Sequence, residues 1–333
     1  MGTRQSVAAK QWVWETTETT DYPSERSAGV ILLKLLSNGH VVTAGIDFRL
    51  SVHTMFQDSL IRERALPHAI NAITELDGNK LLVGAGDVIE VLDSSSKYRT
   101  QRRIKLTGFV SDIIPMHPSV PQVRAKVLLC CSNGIVVLDY ETLEQLHRIK
   151  RTKTSAEVRQ LNDYLAVVNE GTWWQVLNFN SMVLHPVVLN RLYSCFVMLS
   201  RTLVLASGAV QYLDVLDISK REPIVREFRD FKPNLNCLCK HADFDMEHFP
   251  FVFGAHVGRF VYLLNVREDM QVMLSIDLGL LSMSCDIAYR GLRFRSFMGR
   301  DGRIYRNMLL VGRDSGTIST FRIERSLQDV KKA

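Results

Sequence analysis

The sequence predicts an all-β repeat protein in which seven four-stranded antiparallel sheets close into a ring. The first observation is a recurring pair of strand-like runs. For example, "LLVGAGDVIEVLD" at 81–93 resembles "LLVGRDSGTISTFRIER" at 309–325. The second observation is that the last repeat lacks an outer strand, whereas an extra strand-like run, "KQWVWETTE", stands near the N-terminus. Together they indicate a ring that is closed by the two ends of the chain.

The composition agrees with a packed fold. The chain has 333 residues, of which 46% are hydrophobic and 23% charged, as in ordinary globular proteins. No apolar run reaches the roughly 18 residues of a membrane-spanning helix, and the N-terminus lacks the apolar region of a secretory signal. The six cysteines are scattered through apolar runs, where free thiols are common in a reducing compartment. We therefore expect an intracellular protein, nuclear or cytoplasmic.

The repeat is defined by the end of a third strand in each unit. This position falls at Thr54, Asp93, Asp139, Asn178, Asp217, Asn265 and Arg322, so that successive spacings are 39, 46, 39, 39, 48 and 57 residues. Before it stand two short apolar runs around a Gly turn, which predict a hairpin. A further apolar run precedes the hairpin, and a more charged run such as "RTQRRIK" follows it. Four strands with a charged fourth are typical of a sheet whose outermost strand faces solvent.

This organisation resembles the WD-repeat family of β-propellers, whose units of about 40 to 45 residues form four-stranded blades. The chain departs from the family because it lacks the Trp-Asp and Gly-His dipeptides. In place of Trp-Asp it has Leu92-Asp93, Leu138-Asp139, Leu177-Asn178, Leu216-Asp217 and Leu264-Asn265. The resemblance implies one β-propeller domain over residues 1–333, with an N-terminal strand completing the last blade.

The predicted blade boundaries follow from these spacings. The blades cover residues 29–66, 69–106, 109–150, 156–189, 191–231, 234–278 and 280–325, with 11–18 added to the last blade and 326–333 left as a tail. Residues 12–15 are the expected closing segment, beside residues 317–323. Two stretches, 58–76 and 140–161, can also be written as amphipathic helices, and the second has Leu143, Leu146 and Ile149 at helical spacing.

The most distinctive segment is "YRGLRFRSFMGRDGRIYR" at 289–306, which we interpret as an inserted loop of the last blade. Arginine forks bind phosphates or carboxylates, and aromatic rings stack on bases. The segment therefore predicts contact with an acidic protein or with RNA or DNA, unless it is a solvated hairpin. Its candidate residues are Arg290, Arg293, Phe294, Arg295, Arg300, Arg303 and Arg306.

The resemblance also implies a binding face made by the turns between the second and third strands. These turns lie near 47–49, 87, 133, 170–173, 207–209, 256–259 and 313–315, and the candidate contacts among them are Trp173, Arg49, Arg259 and Arg313. Trp173 and Trp174 are consecutive in a predicted strand, so their rings should point to opposite faces of the blade. Either both rings pack between blades, or one is exposed as a binding hot spot.

Catalytic and metal-binding patterns are weak. The sequence has no G-x-S-x-G, H-E-x-x-H or G-x-x-x-x-G-K-[ST] motif. Cys237, Cys239 and His241 alternate along one strand, but positions i and i+4 of a strand lie about 13 Å apart, too far for one zinc ion. We expect no catalytic residue, cofactor, metal or small-molecule substrate. The predicted function is a non-catalytic scaffold within a multiprotein complex; the alternatives are an RNA- or DNA-associated subunit and, less favoured, a propeller hydrolase.

Overall fold

The structure is a computed structural model, and it consists of strands and turns throughout the part of the chain that it describes. The described residues are 10–22, 29–54, 59–76, 79–116, 125–150, 157–160, 164–169, 174–179, 181–187, 189, 191, 193–208, 212–220, 224–228, 235–240, 244–248, 250–256, 260–267, 271–277, 293–298, 304–312 and 318–329. The first strand, β1 (Lys10–Tyr22), belongs to a sheet that both ends of the chain form.

The next strands form six blades, each of four antiparallel strands in chain order. Blades 1 to 3 contain β2 (Val30–Leu35), β3 (His40–Gly45), β4 (Arg49–Thr54) and β5 (Leu60–Ala65); β6 (Ile70–Leu76), β7 (Lys80–Ala85), β8 (Val88–Asp93) and β9 (Arg99–Lys105); and β10 (Val110–Met116), β11 (Lys126–Cys131), β12 (Gly134–Asp139) and β13 (Gln145–Lys150). Blades 4 to 6 contain β14 (Glu157–Gln160), β15 (Leu165–Asn169), β16 (Trp174–Asn178) and β17 (Val183–Val187); β18 (Tyr193–Met198), β19 (Leu203–Gly208), β20 (Leu213–Asp217) and β21 (Ile224–Glu227); and β22 (Leu235–Lys240), β23 (Phe251–His256), β24 (Phe260–Asn265) and β25 (Gln271–Asp277).

The blades stand around a common axis. The first strands of neighbouring blades contact one another, since β6 contacts both β2 and β10, β14 contacts β10, and β22 contacts β18. The first strand of each blade is therefore innermost, and the fourth strand forms the outer rim, as in a β-propeller.

The remaining sheet joins the two ends of the chain. It comprises β26 (Arg293–Met298), β27 (Ile304–Gly312) and β28 (Ile318–Asp329), with β1 antiparallel to β28 at its edge. β1 contacts β25, and β26 contacts β2, so this sheet lies between blades 6 and 1. We call it the terminal sheet.

The predicted count of seven blades is corrected to six within the described part of the chain, because the terminal sheet is not a seventh copy of the blade. Its strands β1, β27 and β28 have 13, 9 and 12 residues, whereas the strands of the six blades have four to seven. No hairpin turn joins β1 to β28, so no turn limits the length of their pairing. β28 continues to Asp329, and residues 12–15 lie opposite 324–327 rather than the predicted 317–323.

The repeated Asp or Asn after the third strand has a local cause. The Asp93 carboxylate accepts hydrogen bonds from the backbone N–H and the hydroxyl of Ser95, at 2.9 and 2.7 Å. Asp217 accepts the same pair from Ser219, at 3.2 and 2.6 Å. In both cases these hydrogen bonds lower the pKa of the carboxyl group. Such side-chain-to-backbone bonds start a turn, so the Asp or Asn begins the connection to the outer strand in blades 2 to 6, whereas blade 1 has Thr54 there.

Apolar residues of blades 2 to 5 are buried against both neighbouring blades. In blade 2, Leu82 and Val91 pack towards blade 3, whereas Leu81 and Leu92 pack towards blade 1. This follows from the alternation of side chains across a sheet. Similar clusters join blades 3 and 4, 4 and 5, and 5 and 6. Blades 2 to 5 thus each have two apolar faces, and a neighbouring blade covers each face.

The two stretches that could have been helices contain strands. The first includes β5 and β6, and the second includes β13 and β14. Leu143 is buried in the turn before β13, whereas Leu146 is exposed in the strand itself, so helical spacing did not place them on one face. None of the described residues forms a helix long and apolar enough to cross a membrane.

Candidate binding face

One end of the ring carries two sets of connections. Because the strands are antiparallel, the turn from the second to the third strand lies at the same end as the connection from the fourth strand to the next blade. In blades 1 to 3 these turns are residues 46–48, 86–87 and 132–133, and the connections between the blades are 66–69 and 106–109. We call this end the loop face.

The loop face is held by a hydrogen-bond pattern that recurs from blade to blade. In each of these blades, the first residue of the turn donates its N–H to the carbonyl of the residue just before the first strand. The three bonds are Ile46 to Gly29 at 3.2 Å, Gly86 to Ala69 at 3.3 Å and Ser132 to Phe109 at 2.8 Å. The connections are tied as well, since Leu66 donates to the Phe48 carbonyl at 2.9 Å and Leu106 to the Asp87 carbonyl at 2.7 Å. The turns are therefore preorganised, and their positions can be compared between blades.

Three large apolar side chains are exposed on this face: Ile46 (52%), Phe48 (42%) and Phe109 (60%). We call them the loop-face patch. The hydrogen-bond pattern does not require them. Gly86 and Ser132 occupy the position of Ile46 in blades 2 and 3, and Gly29 and Ala69 occupy the position of Phe109 in blades 1 and 2. Small residues therefore suffice for the turn, and the apolar residues are additions to it.

Phe48 is also strained. Its φ of 63° lies in the left-handed region, where a bulky side chain is rarely found. The blade 1 turn has three residues between strands, whereas the turns of blades 2 and 3 have two. Strain of this kind costs on the order of 1–3 kcal/mol and is concentrated at functional positions. The extra residue thus presents an aromatic ring to solvent at a cost in stability.

The other exposed large apolar residues are distributed differently. Five of them occur singly on outer strands, at Leu60, Leu146, Val183, Val225 and Val272, and Tyr164 lies at the opposite end of blade 4. Isolated exposed apolar residues are normal on protein surfaces. Among the described side chains, only the loop-face patch contains exposed phenylalanines, and it lies on turns rather than on strands.

Polar residues frame the patch. Arg49, a predicted partner contact, is hydrogen-bonded to Glu63 in its own blade and lies 3.9 Å from Asp47. The bond to Glu63 is the main cause that raises the Arg49 pKa.

At Gly86, whose φ is +59°, an added Cβ would lie 2.7 Å from the His68 ring, so glycine is required there. Asn133 donates to the Thr107 carbonyl at 2.6 Å and so fixes the connection that carries Phe109.

The other predicted contacts are not brought together on this face by the described residues. Arg293, Phe294 and Arg295 lie in β26 and Arg306 lies in β27, so these parts of the arginine-rich segment are paired strands and not a loop. Trp174 is fully buried between blades 4 and 5. The predicted contacts that lie outside the described residues are Trp173, Arg259, Arg290, Arg300, Arg303 and Arg313.

Sequence reasoning missed Ile46 and Phe109, and it placed Phe48 within the predicted turn 47–49 without singling it out. A signal for Phe109 was present, because the residue before the first strand is Gly29 and Ala69 in the preceding blades. Comparing that position across the repeats would have singled out the phenylalanine. Phe48 was harder to find, because the extra turn residue becomes visible only when the strand ends are known.

Solved structures share this fold. Two crystal structures of BBS1N in complex with ARL6DN, one soaked with lead and one with mercury, superpose on the chain with a TM-score of 0.71. Each is 14% identical, and the match covers 93% of this chain and 96% of the other. No family model matches the sequence, and no curated protein matches it. At this identity the likeness supports the β-propeller fold alone.

Proposed function

We propose that this protein is a non-catalytic interaction propeller that binds a partner protein through the loop face of blades 1 to 3. The loop-face patch carries the proposal. Its two phenylalanines and one isoleucine are exposed on hydrogen-bonded turns that would be complete without them. Aromatic residues are enriched at protein interfaces and supply much of the binding energy at hot spots. BBS1N, which shares the fold, was crystallised with a protein, ARL6DN, and this supports a protein as the kind of partner.

The rigidity of the turns favours binding. Ordering a flexible loop costs free energy on association, and preorganised groups avoid this cost. Phe48 and Phe109 are each held by backbone hydrogen bonds to a neighbouring segment. A standard interface buries about 800 Å² on each partner, so the patch would form the centre of a larger contact with the surrounding turns as its rim.

The proposal includes an intracellular setting and membership of a stable complex. Cys130, Cys131 and Cys195 are buried free thiols. Burial is the main cause that raises the pKa of Cys131 to about 11, so this thiol is uncharged and unreactive at neutral pH. Buried free thiols suit a reducing compartment.

Site-specific photo-crosslinking tests the proposed function. A photoreactive amino acid replaces Phe109 in one variant and Leu146 in a matched control, which is a singly exposed residue on the outer strand of blade 3. We expect the Phe109 variant to capture a discrete protein in the cells that express the chain, and the control not to capture it. Equal capture by both positions, or capture by neither, would contradict a loop-face site.

Binding of the captured partner is then measured with Phe48→Gly. Glycine adopts the left-handed region without strain, so this variant should be at least as stable as the original chain. We expect partner affinity to fall by a factor of ten or more, in the range of an interface hot spot. A stable Phe48→Gly variant with unchanged affinity would show that Phe48 does not contribute to partner binding.

A further inference from the structure

Two neighbouring outer strands are strongly basic. β9 carries Arg99, Arg102, Arg103 and Lys105, and β13 carries Arg148 and Lys150; neither strand contains Asp or Glu. We call these six residues the basic rim. Five of them are exposed, and Arg148 is half-buried.

Protection of sheet edges does not account for this distribution. Lys and Arg commonly prevent pairing at exposed edges, and that need applies to every outer strand. Yet β17 contains no Lys, Arg, Asp or Glu, β21 contains one Arg and one Glu, and β25 contains only an Asp. The basic charge therefore marks one sector of the ring.

Two of the six residues have structural partners. Arg102 donates to the Thr142 carbonyl of blade 3 at 2.7 Å, and Arg103 binds the Glu90 carboxylate at 3.1 Å. Arg99, Lys105, Arg148 and Lys150 form no ion pair with any described residue, and the Arg148 Nε is buried without a hydrogen-bond partner. Within the described part of the chain, no ion pair therefore neutralises these four charges.

The basic rim adjoins the loop-face patch. Lys105 is the last residue of β9, and the connection 106–109 leads directly from it to Phe109. Lys150 is the last residue of β13 and pairs with Gly134, which follows the turn residue Asn133. Both lysines thus lie at the loop-face end of their strands, on the same two blades that flank Phe109.

We infer that the partner bound at the loop-face patch is an acidic polypeptide segment, whose apolar side chains contact the patch and whose Asp or Glu side chains face the basic rim. This inference rests on the proposed function. Complementary charge accelerates association and selects among partners, while an apolar anchor slows dissociation. A nucleic acid is less suited, because β9 and β13 contain no Phe, Tyr or Trp, and single strands are usually held in basic grooves with such aromatic rings among the cations.

The experiment uses the full chain and a random peptide library displayed on phage. Peptides are selected on the original chain and on a rim variant with Lys105→Glu and Lys150→Glu, the two lysines at the loop-face end of their strands, which leaves the structural arginines in place. The matched control carries Lys80→Glu and Lys126→Glu, which make the same change of charge at the opposite end of the same two blades. A patch variant carries Phe48→Gly and Phe109→Ala. Melting temperatures confirm that each variant is folded.

The original chain and the control are expected to select peptides enriched in both Asp or Glu and large apolar residues. Affinity of a selected peptide should fall about tenfold or more in the rim variant and in raised salt, since the contact is electrostatic, and should change less than about twofold in the control. Raised salt should mainly lower the association rate of the peptide, and the substitutions of the patch variant should mainly raise its dissociation rate.

The outcomes separate the two proposals. Peptides that need the patch but show no acidic enrichment would overturn the acidic partner and leave the proposed function standing. Peptides that are indifferent to the patch variant would overturn the proposed function itself. Displacement of the peptides by polyuridylic acid, with loss of its binding in the rim variant, would overturn the inference in favour of a nucleic acid.

Discussion

Blade 2 and blade 5 each bury one carboxylate at the same repeat position, but they use it differently. Glu90 and Asp214 both lie three residues before the Asp that ends the third strand, and both are almost inaccessible to solvent. The other blades have Ser51, Val136, Gln175 and Tyr262 at this position. The repeat therefore does not demand an acid there, and each carboxylate has a cause in its own surroundings.

Glu90 joins two blades. It lies 2.8 Å from Arg64 of blade 1 and 3.1 Å from Arg103 of its own blade. Thr100 also donates to it, and Arg64 donates to the Thr100 hydroxyl at 2.6 Å. We call this contact between blades 1 and 2 the joint. It contains a second polar interaction, a hydrogen bond between the buried Tyr98 of blade 2 and His40 of blade 1.

Asp214, in contrast, takes part in a polar network within a single blade. Arg191 and the Tyr193 hydroxyl bind it at 2.9 and 2.6 Å, and Arg191 also binds Glu227 at 3.0 Å. All four residues belong to blade 5. Burial, and then the hydrogen bond to Asp214, raises the Tyr193 pKa, so Tyr193 stays a hydrogen-bond donor. The contact with blade 4 is aromatic instead, since the Trp174 ring lies 5.6 Å from the Tyr193 ring. Whether the buried acid links two blades or stabilises one blade thus depends on which blade supplies the arginine.

The largest effect should come from Asp214→Ala. It leaves the Tyr193 hydroxyl and the partly buried Arg191 without their shared partner, and breaking a buried pair typically costs about 3–5 kcal/mol. Chemical denaturation followed by circular dichroism gives the free energy of unfolding. Asp214→Asn keeps the shape and a hydrogen-bond acceptor and should lose less. A loss below about 1 kcal/mol for Asp214→Ala would show that the network adds little to blade 5.

Glu90→Gln should have a smaller effect, about 1.5–3 kcal/mol, because the exposed Arg103 can turn to water while only Arg64 stays confined. A double-mutant cycle of Glu90→Gln and Arg64→Met tests whether this pair couples blade 1 to blade 2, in contrast to the network within blade 5. Because Glu90 and Arg64 lie on different blades, we expect a coupling free energy of about 1 kcal/mol or more across the joint. Additive effects would show that the joint does not depend on this pair.

Tyr98→Phe should cost about 1 kcal/mol, in the range of one neutral hydrogen bond. The variant keeps the buried ring but removes the hydroxyl, which lies 2.7 Å from His40 Nδ1 and 3.0 Å from Asn38 Nδ2. Asn38 Nδ2 donates to the hydroxyl oxygen, and His40 Nδ1 and the hydroxyl share the second hydrogen bond. Thermal unfolding measures the change. An unchanged melting temperature would argue against a stabilising link between blades 1 and 2 through this hydroxyl.

The smallest effect is a pH dependence at the same joint. Burial lowers the His40 pKa below 6.5, so between that lowered value and about 6.5 the unfolded chain binds more protons than the folded chain. The contribution of His40 is therefore present above about pH 6.5 and is lost as the pH falls towards the folded-state pKa. His40→Asn should flatten this part of the profile of unfolding free energy against pH. An unchanged slope would exclude His40 as its source.

Much of the fold follows from local patterns that the sequence displays. Asp93 and Asp217 hydrogen-bond residues two positions ahead, so the repeated Leu-Asp marks the end of the third strand in any context. The number of blades did not follow, because spacing alone cannot distinguish a further copy from the longer terminal sheet. The prediction of an inserted loop for the arginine-rich segment rested on the last repeat spacing of 57 residues, yet the described parts of the segment are strands paired within that sheet.

Local sequence patterns established the alternation of strands, the turns that begin with Asp or Asn and the basic outer strands β9 and β13, because each depends on residues close together in the chain. The tertiary structure alone decided which arginine meets which acid, as when Arg64 reaches Glu90 across a blade boundary. It also decided that Ile46, Phe48 and Phe109 are exposed at one end of the ring while Trp174 is buried. The physical reason is that exposure and charge pairing arise from surfaces brought together by closure of the ring, between residues that are distant in the sequence.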